Sequence, residues 1–284
     1  MRLSRLLRIA IATVLGTLVV VISRRILPQR RAARHTDALR RTATTDRDQV
    51  FTPNELDGLP APVRDYFENV LEEGQTYVDT VRFEQKGELR PGDADSAWKP
   101  FTATQYITTD PPGFFWDASV HLWPLVDLRV RDLYHDGTGS ASVTLFELFQ
   151  FGSDESNPEL NEGELLRYLA EAVCYPTALL PGEGVTWEAV DDNAATATLE
   201  YGGVEATLTF HFSEDDEVKK VHADQRPRRV DDGYEQTPWT GRWYDYETRN
   251  GMRVPTAGEV IWHLPEGDIE TWRGQLTDIS YDEW

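Results

Sequence analysis

GELLRYLAEAVCYPTALLP, residues 163–181, has helical periodicity in a chain whose other segments mostly alternate as strands. Leu165, Leu166, Leu169, Ala172 and Val173 recur at three- and four-residue spacing and make one apolar stripe. Glu164, Arg167 and Glu171 share the opposite flank at spacings that allow an intrahelical ion-pair ladder. Such a flank reads as a solvated face or as a tether from helix to sheet. Pro176 and Pro181 end the helix, which is expected over residues 163–175. An apolar stripe needs a cover and a curved sheet needs its concave face filled, so this helix reads as a plug. The only cysteine, Cys174, falls in its last turn beside Val173 and Tyr175. A carboxyl-terminal helix position raises a thiol pKa, which makes Cys174 a small buried hydrophobe rather than a nucleophile.

Working outward, ELDGLPAPVRDYFENVLEE (55–73) reads as an amphipathic helix with Pro62 in its first turn. Beyond Gly74 the period switches to two. TYVDTVRFEQKGELR, WKPFTATQYITT and GFFWDASVHLW are rich in β-branched and aromatic residues and are divided by Pro, Gly and Asp clusters. DLRVRDLYHDGTGSASVTLFELF reads as a hairpin turning at Asp136-Gly137-Thr138-Gly139. After the 163–175 helix the alternation resumes and continues to the carboxyl terminus. The fold class is therefore mainly β (α+β): about ten or eleven antiparallel strands joined by short turns, curled into a half-barrel or barrel-like sheet around the packed helix. There is no internal repeat.

Charge divides the chain. Residues 1–45 hold ten arginines against a single acid, Asp37, whereas the remainder holds 48 acids and 18 basic residues, a formal −30. A domain of that charge repels phosphates, which argues against nucleic acid as a partner. Only four of the 28 basic residues are lysine. Strong acidity with Arg in place of Lys fits a protein kept soluble in concentrated salt, as in a halophilic organism, where self-repulsion is screened within about 3 Å at 1 M.

LLRIAIATVLGTLVVVIS (6–23) contains 15 uncharged residues from Ile9 to Ser23, flanked by Arg8 and by Arg24 and Arg25. With those arginines snorkelling to the interfaces, the run reaches spanning length. No small-residue cleavage site follows. Residues 1–28 therefore read as an uncleaved single-pass anchor and residues 29–54 as a polar linker, with residues 55–284 as one β-rich domain. The lipid bilayer is then a partner and the cell membrane the location. The arginine excess on the carboxyl side places the large domain in the cytoplasm.

No G-x-S-x-G elbow, H-E-x-x-H, P-loop or G-x-G-x-x-G occurs, and the six histidines lack metal-type spacing, so neither cofactor nor metal is expected. Nine tryptophans are the unusual feature. Trp116, Trp239 and Trp262, in strand-like segments, are candidates for a concave apolar surface that holds a lipid-like ligand, with Asp117, Glu164, Arg167 and Glu171 as polar candidates around the helix. Core packing is the competing reading for the aromatics.

PPGFFWDA (111–118), GELLRYLAE (163–171), YPTALLP (175–181), WEAVDD (187–192), TPWTGR (237–242) and RVPTAGEVIW (253–262) resemble the signature blocks of an uncharacterised family. It is a domain of unknown function found in bacteria and archaea, often behind a membrane segment, and the similarity covers most of residues 55–284. The resemblance implies no catalytic residue. Its strand count and helix placement are similar to the lipoprotein-carrier half-barrel, a fold that cradles acyl chains and works outside the cytoplasmic membrane. That implication opposes the cytoplasmic side read from the arginines. Three functions follow: a non-enzymatic binder of an apolar or amphiphilic ligand, a hydrolase using Asp117, Glu164 and Glu171, or a structural partner in a membrane complex.

Overall fold

The computed structural model describes residues 27–45, 47–90, 95–123, 126–145, 149–231 and 233–284. Among them one antiparallel sheet of 13 strands accounts for more than half of the described residues. Strands β1 (Thr80–Leu89), β2 (Lys99–Thr108), β3 (Gly113–Trp123), β4 (Val126–His135), β5 (Thr138–Leu145) and β6 (Phe149–Asp154) form one wing, in meander order. The other wing is β7 (Val185–Asp191), β8 (Ala194–Tyr201), β9 (Val204–Phe212), β10 (Val218–Val230), β11 (Gly233–Arg249), β12 (Met252–Leu264) and β13 (Gly267–Tyr281). The two wings join where β1 pairs with β13, so the first and last strands lie at the centre and β6 and β7 at the edges.

The strand count exceeds the ten or eleven expected. β6 was not foreseen because FQFGSD is short and carries Gly152. The β10–β11 hairpin is also longer than RPRRVDDGYEQT suggests. Charged and proline residues there read as a loop, yet Pro227 pairs with Gln236, Arg228 with Glu235 and Arg229 with Tyr234.

Three α-helices are described: α1 (Leu27–Thr42), α2 (Ala61–Val70) and α3 (Pro158–Glu171). Helix α3 starts earlier than its apolar stripe, because Asn157 caps it by accepting a hydrogen bond from the Leu160 amide at 2.8 Å and Pro158 fits the first turn. It ends at Glu171 and continues as 3₁₀ turns at Ala172–Cys174, Pro176–Leu179 and Pro181–Glu183. The helix touches β4 and β5 of one wing and β9 and β10 of the other, which requires the sheet to curl around it. At one end the wing tips meet. Gly137 and Gly202 adopt positive φ, and a Cβ on Gly202 would lie 2.5 Å from the Gly137 Cα. Only glycine permits both the turn and the approach. The sheet stays open at β6 and β7, with α3 standing between the two halves as the core peg.

The stretch expected as a polar linker is instead folded against the sheet. Leu39 of α1 is fully buried over Gly113, and the His35 ring stacks on Phe115 at 4.8 Å. Arg47 donates to the Asp79 and Glu183 carboxylates, to the Thr109 hydroxyl at 2.9 Å and to the Val78 carbonyl at 3.2 Å. Thr42 meets the His135 ring, the Thr44 amide donates to the Asp110 carbonyl and Phe51 is buried in the core, so the attachment mixes scattered polar and apolar contacts and leaves no helical pattern of apolar residues.

The expected location as a single-pass membrane protein is overturned. Among the described residues no helix is long and apolar enough to cross a membrane. The helix that is described there, LPQRRAARHTDALRRT, is rich in arginine. The apolar run at residues 6–23 lies outside the described residues.

Leu169 is wholly buried between the wings. Leu169→Ala should cost about 2–5 kcal/mol, through lost burial and the cavity left behind. Denaturant unfolding with an unchanged m-value checks this, and a loss below about 1 kcal/mol would mean that the helix is not the core peg.

Candidate functional site

Between the carboxyl-terminal half of α3 and the concave face of the sheet lies a cavity of about 250 Å³. Five indoles line it: Trp116 from β3, Trp239 and Trp243 from β11, Trp262 from β12 and Trp272 from β13. Their seating follows from glycines in the strands. Gly87, Gly274 and Gly258 occupy one cross-strand row on β1, β13 and β12, with Trp243 of β11 next in line. A Cβ on Gly274 would meet the Trp272 ring at 2.6 Å, one on Gly258 the Trp243 ring at 2.9 Å, and one on Gly241 the Trp239 ring at 3.0 Å. Missing side chains let the indoles lie flat on backbone, so the row becomes the wall of a pocket rather than a filled core.

The polar end of the cavity is a chain of buried hydrogen bonds. The Trp116 indole N–H donates to Gln85 Oε1 at 2.7 Å, and Gln85 Nε2 donates to Gln105 Oε1 at 3.3 Å. Gln105 Nε2 then donates to Glu171 Oε2 at 2.5 Å. Arg167 closes the series, giving its Nε–H to Glu171 Oε1 at 2.8 Å and its Nη1–H to Asp132 Oδ2 at 2.7 Å. Its guanidinium also stands over the Phe114 and Trp116 rings at 4.8 and 5.1 Å. Arg226 of β10 covers Trp239 at 4.4 Å and donates to the Gly163 carbonyl at 3.0 Å.

Charges in this cluster are set by burial first. Desolvation raises the Asp132 pKa, against the pull of Arg167. Burial would lower Arg167, but Glu171 and Asp132 outweigh it and hold the guanidinium firmly cationic. Arg226 is drawn down to about 10 by burial, which leaves it charged at neutral pH. Glu164 is pushed up to about 8 by burial and by the Asp132 charge, so it carries a proton at neutral pH. Asp132 and Glu171 are both engaged by Arg167, and Arg226 is left with the Gly163 carbonyl.

The candidate residues are thus divided. Trp116, Arg167, Glu171, Trp239 and Trp262 come together around the cavity, and Glu164 sits behind it on α3. Asp117 does not join them: the pleat turns it to the other face of β3, where Arg129 and Arg131 approach it at 3.3 and 3.0 Å. Glu164, Arg167 and Glu171 are not a solvated face; Arg167 and Glu171 tether helix to sheet. Cys174 is 1 % exposed, and burial, then Glu171, raises its thiol pKa. Sequence reasoning missed Asp132, Arg226 and the glycine row. A usable signal was present in Trp239-x-Gly241-x-Trp243 and Trp272-x-Gly274, which put an indole and a bare backbone on one face of a strand.

The chain belongs to a family of unknown function, DUF6920, whose model matches residues 57–281. Curated proteins give no match. Among solved structures, a LolA superfamily protein from Nitrosomonas europaea is 11% identical with a TM-score of 0.39, covering 78% of this chain and 94% of that one. The lipoprotein LppX from Mycobacterium tuberculosis is 14% identical with a TM-score of 0.25, covering 82% and 98%. A beta-barrel-like protein of the DUF1849 domain of unknown function from Brucella abortus is 12% identical with a TM-score of 0.21, covering 74% and 100%. Likenesses of this size carry no argument about ligand or activity.

The raised Glu164 pKa makes stability depend on pH. The unfolded chain releases this proton near 4.5, the folded chain near 8. The contribution is therefore fully present below pH 4.5 and is lost as pH rises towards about 8. Glu164→Gln, which mimics the protonated group, should flatten the fall in Tm across that window and be the more stable form at its upper end. Parallel melting curves for the two proteins would mean that Glu164 is ionised in the fold.

Proposed function

We propose that the domain is a non-enzymatic binder of one small apolar or amphiphilic molecule, held among the tryptophans between α3 and β11–β13. The observation that carries this reading is the five-indole cavity, left unfilled by the protein's own side chains although glycines stand where larger residues would have closed it. Its size sets the scale. A space of about 250 Å³ exceeds the ~150 Å³ that holds a benzene and falls just under the ~300 Å³ at the lower end of drug-sized sites. One short chain or a compact ring system fits; a lipid with several acyl chains does not. The roles of Trp116, Trp239 and Trp262 are to sandwich the apolar body, and those of Arg167 and Glu171 are to hold the polar end in shape. The acidic exterior suits work in concentrated salt, where its self-repulsion is screened.

A carboxylate-based hydrolase has less in its favour. Asp117 faces away from the cavity, and both Asp132 and Glu171 are engaged by Arg167.

Native mass spectrometry of the full chain, purified from its own cells without detergent, should find a small molecule that is released on unfolding. The neutral fluorophore N-phenylnaphthylamine should bind the emptied protein with enhanced emission. Val260→Trp, which fills the cavity from β12, should abolish that signal with little change in circular dichroism. A bare mass together with no response to the fluorophore would overturn the reading.

A further inference from the structure

The cavity is one-sided in its hydrogen bonding. Among the described residues that line it, three fully buried side-chain polar atoms lack a hydrogen-bond partner, and all three are donors: Arg226 Nε and the indole Nε1 of Trp239 and of Trp243. The acceptors that line it are already used, while behind it Glu164 Oε2 is left without a partner. Gln85 takes the Trp116 proton, Asp132 and Glu171 take those of Arg167, and Glu259 takes that of Arg242 at 2.8 Å. A buried donor left without a partner costs about 1–3 kcal/mol, so three in one cavity call for an acceptor that the protein does not itself supply.

Charge points the same way. The domain is crowded with carboxylates, yet among the described residues none lies within salt-bridge distance of Arg226, whose only hydrogen bond of this kind is to the Gly163 carbonyl. Its guanidinium is instead stacked on Trp239 and Trp262, at 4.4 and 5.6 Å, with one edge towards the cavity. An amine ligand would face three donors and a cation, and an alcohol would engage only part of the set. A carboxylate brings two acceptor oxygens and the charge that Arg226 lacks.

We infer that the molecule held here is a monocarboxylic acid with a compact apolar body, its carboxylate accepting hydrogen bonds from Arg226, Trp239 and Trp243 and its body lying against Trp116, Trp262 and Trp272. The inference rests on the ligand-binding reading above and adds the head group. The rest of the cluster fits this occupant. Arg167 is saturated by Asp132 and Glu171, which leaves Arg226 as the cation available to a ligand. The cavity volume limits the acid to one short chain or a small ring.

Isothermal titration calorimetry of the full chain with octanoate, octanol and octylamine tests it, because the three share a body and differ in the head. Octanoate should bind about ten- to a hundredfold more tightly than octanol, the range expected of hydrogen bonds to a charged group, and octylamine should not bind. Arg226→Gln should remove the preference for the acid while leaving octanol binding in place, and Arg226→Lys should restore part of it. Trp243→Phe keeps a ring but removes one N–H. It should weaken octanoate several-fold and octanol little, and it serves where Arg226→Gln fails to fold. Equal binding of octanol and octanoate, or unchanged octanoate binding in both Arg226→Gln and Trp243→Phe, would overturn the carboxylate assignment and leave the apolar-ligand reading standing. No binding of either compound would remove both.

Discussion

The Arg167 guanidinium is the contact on which the rest of this structure depends. It projects from the peg helix α3, reaches β4 through Asp132, holds Glu171 in place and through it Gln105 of β2, and lies against the faces of Phe114 and Trp116. A buried cation is costly unless paired, and here the Nε–H and Nη1–H end on carboxylates while the guanidinium meets two rings. Breaking such a pair by removing one partner typically costs about 3–5 kcal/mol, because the other charge is left buried. The helix is thereby locked to one wing by charge and to the other by its contacts with β9 and β10, among them the Arg226 hydrogen bond to the Gly163 carbonyl. An open sheet of 13 strands has no barrel closure to fix its curvature. The peg supplies it.

Curvature then makes the pocket. Where the glycine row crosses β1, β13 and β12, the concave surface is bare backbone, and indoles from neighbouring positions settle onto it. Tryptophans that lie flat leave space above them, whereas upright side chains would have met α3 and closed the gap. The cavity is therefore a product of two features far apart in sequence: a charged anchor on α3 that sets the distance between helix and sheet, and a row of missing Cβ atoms that lowers one wall.

Much of the architecture was legible in the sequence because it rests on local periodicity. The apolar stripe from Leu165 to Val173 announced the plug, and the alternating aromatic and β-branched runs announced a curled antiparallel sheet. The buried state of Cys174 followed from its place at a helix end. What was not legible depended on register between distant strands. Asp132 and Arg226 look like ordinary surface charges in DLRVRDLY and DQRPRRV, and nothing within ten residues of either reveals that β4 and β10 bring both to the same helix. Asp117 failed as a site residue for the converse reason: it adjoins Trp116 in sequence, and adjacency in a strand means opposite faces. Helix α1 was hidden because its docking uses Leu39, His35 and Thr42, which leave no helical pattern of apolar residues, and the membrane location expected from the run before it found no spanning helix among the described residues.

If α3 is the peg that sets the curvature, the two wings cannot loosen separately. Hydrogen exchange of the native full chain, followed by mass spectrometry, measures this directly. The amides of β4 and β5 and those of β9 and β10 should exchange through one opening, with the same free energy as the amides of α3, although β5 and β9 are separated by eight strands in the sheet order. Exchange of one wing by orders of magnitude faster than the other, with α3 still protected, would contradict it.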